Sequence, residues 1–193
     1  GRVLRISILA VGSRGDVQPY VALGVGLRAA GHVVTVAAPT PFRAFVEERG
    51  LVFADLAADP RAIVESELGQ AWLASGHNPL AFIRRMEAIV APYVGSFLTD
   101  LLAACRDAEC IVYSPLAIAA WHIGESYGIP TIYAPLVPSW RTRALPHLLA
   151  PLLPLGPLAG AYNWLSHVAI ERAAWQIFRQ VAQFWRVETL GLP

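Results

Sequence analysis

Short apolar runs alternate with helical segments along the first 56 residues, and this alternation constrains the fold more than any other feature. One helix is predicted from Pro19, a residue suited to a first helical turn, to about Ala30, and a second over 41–50. Strands separated by helices in this way predict right-handed crossovers and a parallel sheet with helices on both faces. The predicted fold class is therefore α/β, with a Rossmann-like sheet. Three predicted strands flank these helices: a short apolar run at 3–10, a β-branched run at 32–39 and a third at 51–56.

The rest of the chain continues the alternation and then changes character near residue 136. A helical pattern over 60–105 is broken near 75–79. A strand, a helix and a strand follow, at 109–115, 116–128 and 129–135. Seven of the fifteen prolines fall between Pro130 and Pro157, which predicts a loop-rich region at about 136–160. Long ordered loops in α/β domains usually carry function.

Composition excludes several classes of function. Hydrophobic residues make up 55% of the chain and charged residues 15%, which favours a large core or an apolar binding surface over disorder. The formal net charge of +1 gives no electrostatic reason to expect a nucleic-acid partner. All fifteen basic residues are arginine, which excludes Schiff-base and P-loop lysine chemistry. Cys105 and Cys110 are too few for a disulfide framework or a four-ligand zinc site, and we expect them reduced at a helix-to-strand junction.

No segment predicts stable insertion into a membrane. The N-terminal sequence is typical of a strand and lacks the long apolar region and cleavage site of a signal peptide. The apolar segment 144–165 contains four prolines, and a bilayer-spanning helix does not tolerate so many interruptions. We therefore expect a soluble, cytoplasmic protein.

The turn after the first strand, in the sequence VGSRGDVQP, holds the candidate site. Ligands of open parallel sheets bind beyond the carboxyl ends of the strands, where Arg14 and Asp16 are expected. Gly12 and Gly15 allow a sharp turn and a close approach of ligand to backbone. A dinucleotide site is disfavoured, because the G-x-G-x-x-G spacing is absent and no acidic residue ends the second strand.

Two interpretations of Asp16 remain open at this point. An aspartate is ordinarily ionised at neutral pH and can accept a proton, and general-base assistance contributes roughly 10²–10⁴-fold to a rate. Alternatively, Asp16 only hydrogen-bonds the turn or caps the following helix.

The segment GSRGDVQPYVALGVGLRAAGH resembles the start of glycosyltransferases of family 28 and its neighbours, the sterol-glucosyltransferase and glycopeptide-glycosyltransferase kind. The resemblance extends through HIGESYGIPTIYAPL to the final WRVETLGLP and so covers essentially the whole chain. The run VPSWRTRALPHLL at 137–149 is similar to the sterol-type subgroup. Plant and animal relatives carry a histidine at the first turn, and its absence here favours the sterol and antibiotic branch.

The resemblance implies a GT-B architecture, in which two Rossmann-like domains face each other across a cleft. Residues 1–193 would be the N-terminal, acceptor-binding domain of an inverting, metal-independent hexosyltransferase that uses an NDP-sugar such as a UDP-sugar. Asp16 would be the general base toward a hydroxyl of a sterol, lipid or natural-product aglycone. The nucleotide sugar is a co-substrate, so no cofactor is expected. The remaining residues of the turn would shape the crevice or contact donor phosphate: Gly12, Ser13, Arg14 and Gly15.

Further residues are predicted to contact the acceptor. Within the loop-rich region these are Trp140, Arg141, Arg143 and His147. An apolar pocket for a flat aglycone would be lined by Trp72, Phe82, Met86, Phe97 and Trp140. A peripheral role of 144–165 at a membrane surface is also predicted, since sterol acceptors reside in bilayers.

The donor-binding domain of the family does not follow within these residues, so the chain alone is expected to be inactive. That domain would be supplied in cis or as a separate chain. The closing amphipathic helix carries aromatic residues that are predicted to dock on it: Trp175, Phe178, Phe184 and Trp185. The alternative function is a non-catalytic α/β module that binds a hydrophobic small molecule or a partner domain.

Overall fold

The structure, a computed structural model, describes residues 1–57, Gln70 and 79–193, and the side chains of 79–91 and 177–178 fall outside that description. The chain divides into two compact units. Unit 1 comprises Gly1–Leu136 and Leu190–Pro193, and unit 2 comprises Val137–Thr189. The predicted helix break at 75–79 and the pocket residues Trp72, Phe82 and Met86 lie outside the described residues or side chains.

Unit 1 contains a five-stranded parallel sheet in the order β3-β2-β1-β4-β5. The central strand β1 pairs with β2 on one side and β4 on the other, with Ile8 opposite Val36 and Val112. This topology confirms the prediction of a Rossmann-like parallel sheet. The strands are β1 (Arg5–Leu9), β2 (Val33–Pro39), β3 (Val52–Leu56), β4 (Cys110–Tyr113) and β5 (Thr131–Tyr133).

Helices cover both faces of the sheet, as the alternating pattern predicts. A Cβ atom at Gly24, on the first helix, would lie 3.4 Å from Val34 and 3.5 Å from Ile8, so that helix packs closely on one face. On the other face, the Ser7 hydroxyl donates to the carbonyl of Ala104, at the end of the third helix (2.7 Å). The helices are α1 (Arg14–Ala29), α2 (Arg43–Glu47), α3 (Pro79–Ala104), α4 (Ala120–Tyr127) and α5 (Ala159–Glu188).

The predicted start of the first helix is wrong. Pro19 was placed in the first turn, but α1 begins at Arg14 and contains the proline in its interior. Ser13 is extended at the N-cap, and the Asp16 carboxylate accepts a hydrogen bond from its backbone N–H. This reciprocal cap determines the helix start, and it outweighs the preference of proline for a first turn.

Cys105 and Cys110 are free, buried thiols between the end of α3 and the start of β4, as predicted. Burial raises the pKa of Cys105 to about 12, so its thiol is protonated and unreactive at neutral pH.

Unit 2 consists of an irregular segment followed by one long helix. Val137 to Leu155 contain no helix or strand, and α5 then extends over thirty residues. Trp185 is 6% exposed, so its predicted role in docking a partner domain is wrong, whereas Trp175 and Phe184 are exposed. The Phe178 side chain lies outside the described part.

Among the residues that the structure describes, no helix combines the length and the apolar character needed to cross a bilayer.

Candidate functional site

The carboxyl ends of β1 and β4 form the candidate site of unit 1. The chain leaves β1 toward β2 on one side and later returns to β4 on the other, which makes this position the topological switch point of the sheet. Open α/β sheets bind ligands at such a point, because the connections diverge there and leave a crevice. The turn 10–13 follows β1, and Ser114 follows β4.

Backbone hydrogen bonds fix the two strand ends to each other. The Ser114 N–H donates to the carbonyl of Leu9 (2.9 Å), and the Val11 N–H donates to the Ser114 hydroxyl (3.1 Å). Ser114 is 1% exposed, so this bridge is shielded from water. These hydrogen bonds therefore fix the start of the turn that leads to Asp16.

Asp16 lies exposed in the first turn of α1 with its side chain held on one oxygen. Oδ2 accepts hydrogen bonds from the Ser13 N–H and the Ser13 hydroxyl, both at 2.8 Å. From the described residues, Oδ1 accepts none, which leaves a carboxylate oxygen available to an incoming hydroxyl. Asp16 thus caps the helix through Oδ2, as one of the two interpretations predicted, and its role as a general base stays a prediction.

Gly12 is required by the position of the Asp16 side chain. Its φ of +138° lies in a region that favours glycine, and a Cβ there would lie 2.5 Å from Oδ2 and 2.7 Å from Cβ of Asp16. No other residue fits this position without displacing the carboxylate.

Arg14 and Gly15 are exposed at the start of α1. The Arg14 guanidinium carbon lies 5.3 Å from the centre of the Phe45 ring, a cation–π distance. A role of these residues in binding donor phosphate stays a prediction.

Three tyrosines lie at the same end of the sheet as Asp16 and were missed by sequence reasoning. The Tyr20 hydroxyl, one helical turn after Asp16, donates to the carbonyl of Ala134 just beyond β5. Burial first, then Tyr133 and Asp16, raise the pKa of Tyr20, so it stays a neutral donor at pH 7. The rings of Tyr113 and Tyr133, which end β4 and β5, are 5.4 Å apart. The sequence could have indicated Tyr113 and Tyr133, because each ends a strand and ligands of parallel sheets bind beyond the carboxyl ends of the strands.

The acceptor residues predicted in the loop-rich region all belong to unit 2, whereas Phe97, predicted to line the apolar pocket, is half-buried on α3 in unit 1. Trp140 is 69% exposed. Arg141 forms a two-point ion pair with Glu171, with Nε and Nη2 at 2.7 and 2.6 Å from Oε2. This hydrogen-bonded pair raises the pKa of Arg141. Arg141 also lines a cleft of about 540 Å³, together with Glu171, Arg172, Trp175 and Gln176.

His147 is half-buried and stacks edge-on against His167, with ring centres 5.3 Å apart. Its Nδ1 accepts a hydrogen bond from the Leu149 N–H (3.1 Å), which places the proton of the neutral ring on Nε2. Burial, and then His167, lower the pKa of His147, whereas Glu171 weakly opposes them. The ring is therefore neutral at pH 7. Within the described ranges, no group of three or more His, Cys, Asp or Glu side chains is arranged to hold a metal ion.

Residues 6–146 match the glycosyltransferase family 28 N-terminal domain, which spans the sheet, the candidate site and the beginning of unit 2. The chain belongs to this family. Among curated proteins it is 38% identical to a sterol 3-beta-glucosyltransferase of Pichia angusta over 98% of its length, and 37% identical to one of Candida albicans over 97%. It spans only 15% and 12% of the length of those two proteins.

Solved glycosyltransferases have the same fold. The family 28 chain superposes on SsfS6 of Streptomyces sp. SF2575 with a TM-score of 0.57, at 20% identity, over 98% of this chain and 47% of that one. The glycosyltransferase of kitacinnamycin gives a TM-score of 0.59, at 21% identity, over 100% of this chain and 42% of that one. Both matches cover somewhat less than half of a GT-B enzyme, as predicted for the N-terminal half of that fold.

Proposed function

We propose that this family 28 domain binds the acceptor of an inverting NDP-sugar glycosyltransferase and supplies Asp16 as its general base. The single observation that carries the proposal is the Asp16 carboxylate, exposed beside the switch point of the sheet with Oδ2 held by Ser13. A fixed carboxylate with a second, available oxygen is the arrangement that proton abstraction requires.

The proposed reaction is a single displacement at C1 of the sugar. The acceptor hydroxyl oxygen forms the new bond to C1, the bond from C1 to the nucleoside diphosphate oxygen breaks, and Asp16 receives the hydroxyl proton. The diphosphate leaves with the bonding electron pair, so charge and protons balance without a metal ion or a further cofactor. Inversion at C1 follows from attack opposite the leaving group.

The proposed acceptor is a flat, apolar molecule with one reactive hydroxyl, of the sterol or lipid class. The similarity to sterol 3-beta-glucosyltransferases supports this choice over polar acceptors. The exposed Trp140 indole supports it as well, because aromatic side chains bind flat apolar ligands. Direct contacts by Arg141, Arg143 and His147 remain part of the proposal.

The donor is proposed to be held mainly by a C-terminal domain, in cis or as a separate chain, because the curated relatives extend far beyond the matched region. Without that domain we expect binding of acceptor and no turnover. Peripheral association with a membrane completes the proposal, since a sterol-like acceptor has to be taken from a bilayer.

A non-catalytic binding module remains the second candidate, because the same two hydrogen bonds make Asp16 a helix cap. The two candidates differ in what Asp16 does for turnover, and not in whether the chain binds an apolar ligand.

Calorimetric titration of the 193-residue chain with sterols and macrocyclic aglycones tests the proposed acceptor class. We expect micromolar binding of the sterol class, retained in Asp16→Asn, because the base contributes to chemistry more than to affinity. Nucleoside diphosphates serve as the control ligand and should not bind measurably. A folded chain that binds no hydroxyl-bearing apolar compound would contradict the assignment as an acceptor domain.

A further inference from the structure

The segment 145–158, here called the leucine loop, presents apolar side chains to solvent. Every one of its seven leucines is exposed, with Leu148 at 82%, Leu152 at 80% and Leu158 at 69%. No Asp, Glu, Lys or Arg occurs between Ala144 and Ile170. Soluble proteins rarely expose so dense an apolar patch unless it contacts a partner or a membrane.

The backbone of the leucine loop is anchored inward by polar side chains of α5. Asn163 Nδ2 donates to the carbonyl of Arg143 (2.9 Å), and the Tyr162 hydroxyl donates to that of Pro151 (2.7 Å). His167, 2% exposed, places Nε2 3.2 Å from the carbonyl of Leu145. The loop therefore points its polar atoms toward the helix and its leucines away from it.

The leucine loop has fewer backbone N–H donors than a segment without proline, and half of those it has are hydrogen-bonded within unit 2. Four of its fourteen residues are prolines, which have no N–H. Five of the ten N–H groups of the loop donate within unit 2, and this pairing lowers the free-energy cost of removing the backbone from water. These five belong to His147, Leu149, Ala150, Leu155 and Leu158.

The net charge of unit 2, to which the leucine loop belongs, and the arginine at the start of the loop indicate the kind of surface that the loop fits. Unit 2 contains five arginines and two glutamates, a formal charge of +3, so the rest of the chain carries −2. Arg143 is exposed at the start of the loop, packs on Gly160, and forms no ion pair with a described residue. Apolar side chains beside basic ones are complementary to a lipid surface with anionic headgroups.

We propose that the leucine loop inserts at the boundary between headgroups and acyl chains of an anionic lipid membrane, with Leu148 and Leu152 as its deepest side chains and Arg143 at the headgroups. This inference rests on the proposed function for its purpose, because it names the segment and the lipid charge by which the domain would reach a bilayer-borne acceptor. It does not depend on the chemistry of Asp16.

Co-sedimentation of the 193-residue chain with phosphatidylcholine vesicles containing phosphatidylglycerol tests the proposal. We expect binding that falls about tenfold in a Leu148→Ser, Leu152→Ser double variant, because two buried apolar side chains are lost. Both side chains are exposed, so the variant should fold normally. Val52→Ser, at an exposed position of unit 1 (55%, against 82% and 80% for the two leucines), is the control and should bind as the wild type does.

Charge and chemistry are separated by two further variants. Arg143→Gln should weaken binding to anionic vesicles at low salt and have no effect at high salt or on phosphatidylcholine alone. Asp16→Asn should bind vesicles as well as the wild type, so a failed turnover test and a failed membrane test remain distinguishable. Equal binding of the wild type and the double variant, or no binding, would overturn the proposal. Leucine variants that instead dissociate a dimer in solution would assign the loop to a second copy of the chain.

Discussion

At the scale of single residues, the Asp16 side chain occupies the space at the end of β1 that any side chain at position 12 would need. The carboxylate lies over the α-carbon of Gly12, with Ser13 donating twice to Oδ2 from the other side. The orientation of Asp16 thus depends on a residue that has no side chain. This explains why the glycine and the acid occur together in the motif.

Gly12→Ala should displace the Asp16 side chain, because the new Cβ would lie 2.5 Å from Oδ2. We expect a loss of about 1–3 kcal/mol in the free energy of unfolding from backbone strain, and a fall in turnover close to that of removing the carboxylate. Urea denaturation and acceptor glycosylation by the domain joined to its donor domain measure the two effects.

Gly26→Ala is the matched control for that experiment. Gly26 lies inside α1 with nothing within 4 Å of the added Cβ, so alanine should stabilise the helix by about 0.5–1 kcal/mol and leave turnover unchanged. A Gly12→Ala variant that behaves like the control would contradict the steric account of the turn.

At the scale of elements, α5 serves as the support of the irregular segment before it. The Ser166 hydroxyl accepts from the His147 N–H (2.8 Å) and donates to the carbonyl of Asn163 within the helix. One face of α5 thus holds in place the irregular segment before it, which forms no helix or strand pairing of its own. His147, whose pKa is lowered by burial, makes this contact sensitive to pH.

The free energy of unfolding should fall as the pH drops below about 6.5, in part because of His147. Burial lowers the pKa of His147 in the folded chain, so the unfolded chain binds the proton more tightly. Its contribution is nil above the unfolded pKa and becomes destabilising as the pH falls toward the folded pKa. Unfolding followed by tryptophan fluorescence suits this test, because four of the six tryptophans lie in unit 2.

His147→Asn is the informative variant, because the asparagine Oδ1 can replace Nδ1 as acceptor of the Leu149 N–H without titrating. Its stability should depend less on pH than that of the wild type between pH 7.5 and 5. Identical pH dependence in the two proteins would remove His147 from the explanation.

At the scale of the whole molecule, local pattern predicted the strands of unit 1 and their parallel arrangement, but neither the order of the strands nor the use of the surface. Apolar runs and glycine stops predicted each strand near its observed bounds, because the fully buried β4 and the largely buried β2 carry strong local signals. The start of α1 was misplaced because the cap by Asp16 depends on a side-chain conformation that pattern does not contain. Trp185 was misassigned because an amphipathic pattern does not say which aromatic side chains become buried.

The candidate site was predictable to a similar extent. The motif indicated Asp16, and parallel-sheet topology gave it a place at the switch point. Tyr20 and the Ser114 bridge were not predicted, because both depend on contacts between residues about a hundred positions apart in sequence.

Turnover of Asp16→Asn in the domain joined to its donor domain tests the central claim most directly. Asparagine keeps the shape and can still accept from the Ser13 N–H, so the fold should persist while the proton acceptor is lost. We predict a fall in kcat of roughly 10²–10⁴-fold with little change in acceptor affinity. Asp107→Asn lies at the other end of the parallel strands, just before the amino end of β4; it is the control and should be fully active. A folded Asp16→Asn enzyme that transfers sugar at the wild-type rate would contradict the assignment of Asp16 as the base and leave it a helix cap.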